Sequence, residues 1–130
     1  MLILTIRTDK PEAELCLFED EKKIAYEAWQ AHRQLAETIH DKIKKLLDGS
    51  KNTWDDLEAV VCFKGPGSFT GLRIGITVAN SLAESLKIPI AGTSGGDWID
   101  EGIDQLLNGE NENLVLPEYG AAANITRPKK

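Results

Sequence analysis

The chain has 130 residues, enough for one ordinary core and too few for two domains of usual size. Hydrophobic residues make up 42% and charged residues 28%, a globular mixture rather than a disordered one. A formal net charge of −6, with no basic patch, argues against a stand-alone nucleic-acid binder, because phosphate contacts need clustered Lys and Arg. The basic group Arg127, Lys129 and Lys130 at the C-terminal end reads equally well as a solubilising tail. The apolar run Leu2-Ile3-Leu4 near the N-terminus is far short of a signal-peptide core or a membrane span, so a cytoplasmic location with no membrane contact is expected. Cys16 and Cys62 lack a CxxC spacing and lie inside strand-like runs, the pattern of buried, reduced thiols.

In chain order, Leu2 to Thr8 reads as a strand, Lys10-Pro11 as a turn, and Ala13 to Phe18 as a second strand. A third run, Ile24 to Trp29, places Ile24, Tyr26 and Ala28 on one face, which suggests an antiparallel meander. The period then changes. From Arg33 to Leu47 the apolar residues Leu35, Ala36, Ile39, Ile43, Leu46 and Leu47 fall within an arc of about 120°, which predicts a helix stopped by Gly49. Thr53 to Asp56 reads as a capped turn, and Leu57 to Phe63 as a strand apolar enough to be buried on both faces. After a glycine-rich stretch comes a second helix ending near Leu86, a short strand at Ile88 to Ala91, and a third helix over Trp98–Leu107. The order β-β-β-α-β-α-β-α predicts one α/β domain over residues 1–108, a mixed sheet covered by helices. Residues 109–113 (GENEN) read as a polar linker, and residues 114–130 as a C-terminal segment packing back on the domain with a disordered basic end.

The stretch KGPGSFTGLRIG, Lys64 to Gly75, asks whether its glycines cradle phosphate or admit a neighbour. No register of them gives GxxxxGK[ST], and Thr70 stands where the third glycine of GxGxxG belongs. A strand–glycine–helix context still gathers free amides at a helix start, so anion binding stays open. Packing explains more. Gly71, Gly75, Ala79 and Ala83 recur every four residues and form a low ridge along which another helix can come close. Apolar and glycine positions from Gly71 to Leu86 cover about 200°, roughly twice what a helix on a sheet needs, which implies a second neighbour. That neighbour is the Arg33–Leu47 helix, a partner chain, or both.

The run VVCFKGPGSFTGLRIGITVANSLAESLKIPIAGTS resembles the signature of the TsaB (YeaZ) family, and AHRQLAETIHDKIKKLL is similar to that family's first helix, with His32 at its opening. The likeness extends from about Leu2 through Ser94, with a weaker similarity in the tail LPEYGAAANITRPKK. It implies the first half of an actin/Hsp70-like, ribonuclease H-like fold. It also implies a non-catalytic scaffold that binds TsaD directly and TsaE through the complex, in forming N6-threonylcarbamoyladenosine at position 37 of tRNA. On that reading tRNA is met only through the complex, and no cofactor is implied. The pairing would use the first two helices, through Leu35, Ile39, Ile43, Gly71, Leu72, Gly75, Ala79 and Leu82. Two departures stand out. Arg7-Thr8-Asp9 occupies the place of the family's DTS, so an acidic Asp9 meets any phosphate, and the chain has no room for the family's second α/β half. A shortened form lacking that half is the simplest account.

No catalytic set is visible. His32 and His40 would differ by about 80° on one helix, poor geometry for sharing a metal, and His32 reads as a residue that caps or packs at the helix start. There is no HExxH, and Ser68 is not in a GxSxG elbow; its expected place is the N-cap of the second helix. Two alternatives to the scaffold are a stand-alone homodimer using the same helices and a small nucleotide-binding domain.

Overall fold

The computed structural model describes residues 1–67 and 69–118. Its strands are β1 (Leu2–Arg7), β2 (Glu12–Glu19), β3 (Lys22–Gln30), β4 (Ala59–Phe63) and β5 (Ile90–Thr93). Its helices are α1 (Leu35–Gly49), α2 (Phe69–Leu86) and α3 (Trp98–Leu107), with 3-10 turns at His32–Gln34 and Trp54–Asp56. The five strands form one sheet in the order β3-β2-β1-β4-β5. β1, β2 and β3 pair antiparallel, whereas β4 pairs parallel to both β1 and β5. This is the mixed sheet of a ribonuclease H-like fold, as expected.

Side-chain alternation divides the sheet into two faces. Leu4 and Ile6 share a face with their partners Val60 and Cys62, and Thr8 continues that row under α2. Ile3, Thr5 and Arg7 share the other face with Ala59, Val61 and Phe63, where α3 lies: Gly102 rests on Val61, and Trp98 meets Phe63 edge-on at 5.7 Å. α1 packs beside α2 and covers β2 and β3, with Leu35, Ile39, Ile43, Leu46 and Leu47 turned inward. Both faces of β4 and β5 are therefore covered, and all their residues are buried.

Several local details differ from expectation. α1 starts at Leu35 with Gln34 as its cap residue, so His32 lies in the preceding 3-10 turn rather than on the helix with His40. Ala36 is exposed although its direction falls within the apolar arc, and the arc's other members are buried. Gly49 remains helical; Ser50 takes the cap position and Lys51 the left-handed φ of 62°. Ile24 drops out of the β2–β3 ladder at a register shift, since Leu17 pairs Ala25 and Phe18 pairs Lys23. Ile24 is consequently exposed, and Tyr26, in register opposite Cys16, is exposed as well. A bulge and the pair Lys22-Lys23 both discourage a further strand from adding to this edge. At Thr53 the expected cap forms, its amide donating to Asp56 Oδ2 at 2.7 Å.

The opposite edge is closed by a different device. Residues 109–113 run beside β5 instead of bridging away from it. The Ile90 amide donates to Asn111 Oδ1 (3.0 Å), the Gly92 amide to the Glu112 carboxylate (2.8 Å), and the Glu112 amide to Ile90 O (2.9 Å). Val115 then fills the space above Gly92, and the Asn80 side chain holds Val115 by both its amide and its carbonyl (2.9 and 3.0 Å). Side chains thus satisfy backbone groups that a sixth strand would otherwise pair. Ser68, the side chain of His32 and residues 119–130, on which the helix cap, the histidine's packing and the basic end were expected, lie outside the described residues.

Candidate functional site

In open α/β sheets, ligands bind at the carboxyl ends of the parallel strands. Here those ends bring together Arg7-Thr8-Asp9, Lys64 to Gly67, and Thr93-Ser94. Arg7 lies over the Phe63 ring at 4.0 Å and donates through Nε to Asp9 Oδ1 (2.8 Å) and through Nη2 to Asp9 Oδ2 (3.2 Å). The planar guanidinium matches a carboxylate in this two-bond geometry. The Asp9 side chain is only 6% exposed, and its Cβ occupies the space that a side chain at Gly67 would need.

Glu118 enters the same crevice from the other side. Its amide donates to Lys64 O at 2.7 Å, and its carbonyl oxygen sits where Gly65 lacks a Cβ. Gly65 has a φ of 121°, a backbone conformation that side chains rarely adopt. The Glu118 carboxylate accepts from Ser94 Oγ at 3.2 Å and stands 4.0 Å from Lys64 Nζ. Each of the two cations, Arg7 and Lys64, thus faces a carboxylate of the same chain. An incoming phosphate would meet two negative groups and would have to displace both.

The glycines after Gly67 serve the fold. Thr8 Oγ1 donates to Gly71 O at 2.7 Å, and the Thr8 side chain fills the space beside Gly75. The close approach inferred from the small-residue ridge is therefore made by a threonine at the end of β1. This corrects the expected interface: Leu35, Ile39, Ile43, Leu72, Gly75 and Ala79 are buried in the chain's own interior and have no surface to offer a partner. Gly71 is half-buried and Leu82 lies at the margin of the core. By helical spacing those two share a flank of α2 with Ile74 and Val78, on the side away from Asn80.

Among the described residues no three His, Cys, Asp or Glu lie close enough to hold a metal ion. His40 is exposed on α1. Burial pushes the Cys62 thiol up to about 12 and raises Cys16 as well, so neither is a thiolate near neutral pH. The Ser94 hydroxyl is given to the Glu118 carboxylate.

Residue-level reading missed Asn80, Glu112, Val115 and Glu118. The run Leu114-Val115-Leu116 was a usable signal, because an apolar triplet after a polar stretch has to be buried somewhere. Nothing in the pattern said that Asn80, on the polar side of α2, would receive it.

Comparison with known proteins adds the following. The family model described as "TsaD: tRNA N6-adenosine threonylcarbamoyltransferase" matches residues 29–101. The tRNA threonylcarbamoyladenosine biosynthesis protein TsaB of Buchnera aphidicola subsp. Schizaphis graminum is 40% identical over 94 residues, covering 72% of this chain and 44% of that protein. TsaB of Bacillus subtilis is 35% identical over 122 residues, covering 93% of this chain and 51% of that protein. YeaZ from Pseudomonas aeruginosa superposes with a TM-score of 0.66 at 26% identity, covering 72% of this chain and 43% of that one. The chain spans about half the length of these relatives.

Proposed function

Because this chain belongs to the TsaB (YeaZ) family, we propose that it serves tRNA threonylcarbamoyladenosine biosynthesis as a non-catalytic scaffold that binds TsaD. One observation carries the non-catalytic reading: the strand-end crevice is filled from within, by Asp9 on Arg7 and by Glu118 on Lys64 and Gly65. A crevice so occupied contributes shape and rigidity. Among the described residues, the cations at its mouth, Arg7 and Lys64, both face carboxylates of the same chain rather than a transferred phosphoryl or carbamoyl group. Modification of adenosine 37 belongs on this reading to TsaD, with TsaE and tRNA reached only through the complex, in the cytoplasm.

The docking surface is the outer side of the α1–α2 pair. The residues expected to form it support it from beneath, while Gly71, Ile74, Val78 and Leu82 form an apolar flank beside α1. Ile74 is the half-buried large side chain of that flank. A helix pair with such a seam suits helix-on-helix docking by a relative of the same fold.

Co-purification with TsaD of the same organism, followed by size-exclusion with light scattering, tests the proposal. The expected result is a stable 1:1 or 2:2 complex. The Ile74→Arg variant should lose pairing about tenfold or more while keeping its melting temperature, since the change lies at the core's edge. A chain that elutes alone, indifferent to TsaD, overturns the scaffold reading. Protection of the fold by ATP would point instead to a nucleotide-binding domain.

A further inference from the structure

The segment 111–118 forms a strap over the edge of β5, and little of it is held by the core. Val115 is 1% exposed, whereas Leu114 and Leu116 on either side of it are 61% and 68% exposed. The outward pair therefore adds little to closure, and one buried side chain carries the apolar part of it. Main chain meets main chain where the Glu112 amide donates to Ile90 O and the Glu118 amide to Lys64 O. The other ties run through side chains: Asn111 and Glu112 on the amides of Ile90 and Gly92, Asn80 on Val115, and Ser94 on Glu118. Few buried contacts and many bonds near solvent are the marks of a segment that opens at less cost than the whole fold.

The ties are also spaced so that each supports the next. Val115 fills the space beside Gly92, whose amide holds the Glu112 carboxylate. With Val115 seated, only Leu116 and Pro117 separate it from the tie at Glu118. Without it, the loop to be closed runs from Glu112 to Glu118 and costs more to order. The inner edge of β5 does not share in these ties. There the Val60 amide donates to Pro89 O (3.1 Å) and the Lys64 amide to Thr93 O (2.9 Å), bonds that need no strap.

We propose that the strap opens and closes as one unit while the sheet beneath it stays folded, and that it is the movable wall of the strand-end crevice. Closed, it sets the Glu118 carbonyl over Gly65 and the Glu118 carboxylate 4.0 Å from Lys64 Nζ. Open, it uncovers Lys64 and Gly65 together and bares the β5 edge at Ile90 and Gly92. The opposite wall does not move with it, because Arg7 and Asp9 lie two positions apart at the end of β1 and bond to each other. Arg7 stays committed in either state, so the proposal neither rests on the scaffold reading nor falls with it.

Native-state hydrogen exchange on the chain alone, without TsaD, tests this. The amides of Ile90, Gly92, Glu112, Val115 and Glu118 should share one opening constant, well above that of the Val60 and Lys64 amides. Val115→Ala should raise the constant of all five by a common factor of about ten. Ser94→Ala, at one end of the strap, should raise Ile90 at the other end as much as Glu118, by about threefold. That variant decides the matter even if Val115→Ala folds poorly. Ile43→Val, in the core under α1, should quicken Val60 and Lys64 and leave the five as they were. Five unrelated constants overturn the proposal, as does a rise confined to the neighbours of the altered residue. So does exchange of all five only at the rate of Val60 and Lys64, since the strap would then leave only when the domain unfolds.

Discussion

The two halves of one sheet differ in the strands they are made of and in their surroundings. β4 reads AVVCF and every residue is buried; β3 reads KKIAYEAWQ and none is. α2 and α3 press on opposite faces of β4, whereas β3 has α1 on one face and solvent on the other. The covered half tolerates no extra atoms, and the half-bare sheet tolerates many. Glycine marks the difference: Gly75 and Gly102 sit where a helix meets Thr8 and Val61 on the two faces of the covered half.

The largest expected effect follows from that contrast. In Gly75→Val the new side chain would collide with Thr8, a buried residue already bonded to Gly71 O, and we expect a loss of about 3 kcal/mol in chemical denaturation. The counterpart on the half-bare side, Tyr26→Ser, should change stability by about 0.5 kcal/mol or less. Comparable losses at the two positions would erase the distinction. Asn80→Ala is intermediate. It strands the amide and carbonyl of a nearly buried Val115, costing about 2 kcal/mol, and hydrogen exchange should quicken at Ile90 and Gly92 before it does in β1.

A smaller effect separates the halves by alkaline titration. The Met1 ammonium, held by Asp20 and Glu19 at the β2–β3 turn, is raised from 8.0 to about 10. Its contribution is complete below about pH 8 and is lost as pH rises through about 10. Cys62, inside the covered half, is raised from 9.0 to about 12, so the folded state favours the neutral thiol and loses that preference between those values. Added salt should weaken the first step and spare the second, because only the first belongs to exposed charges. A single step equally sensitive to salt would contradict the assignment.

The elements were legible because their periodicities are clean. Leu35, Ile39, Ile43 and Leu46 repeat at helical spacing, and Val60, Val61 and Cys62 are apolar without interruption. The glycine ridge was legible as close packing, and its neighbour was not. Spacing says that something approaches Gly75 and cannot say whether it is a partner's helix or Thr8, sixty-odd positions away in the same chain. Residues 109–113 read as a linker for a similar reason, whereas the packing back expected of the segment that follows is seen at Val115. Asn111 and Glu112 are polar, which suggests solvent, yet their side chains serve as acceptors for the amides of β5. Ile24 fell to the bulge, which shifts a strand's alternation without leaving a mark in its composition.

One amide on α2 has a consequence for alignment. The Asn80 side chain presents a donor and an acceptor in the same plane, as a peptide unit does, and takes up both groups of one residue of the strap. Sliding the strap by a single position would offer that amide to Leu114 or Leu116 and turn Val115 out to solvent, away from the hollow at Gly92. A helix side chain here does what a neighbouring strand usually does: it decides which residue of an extended segment faces in.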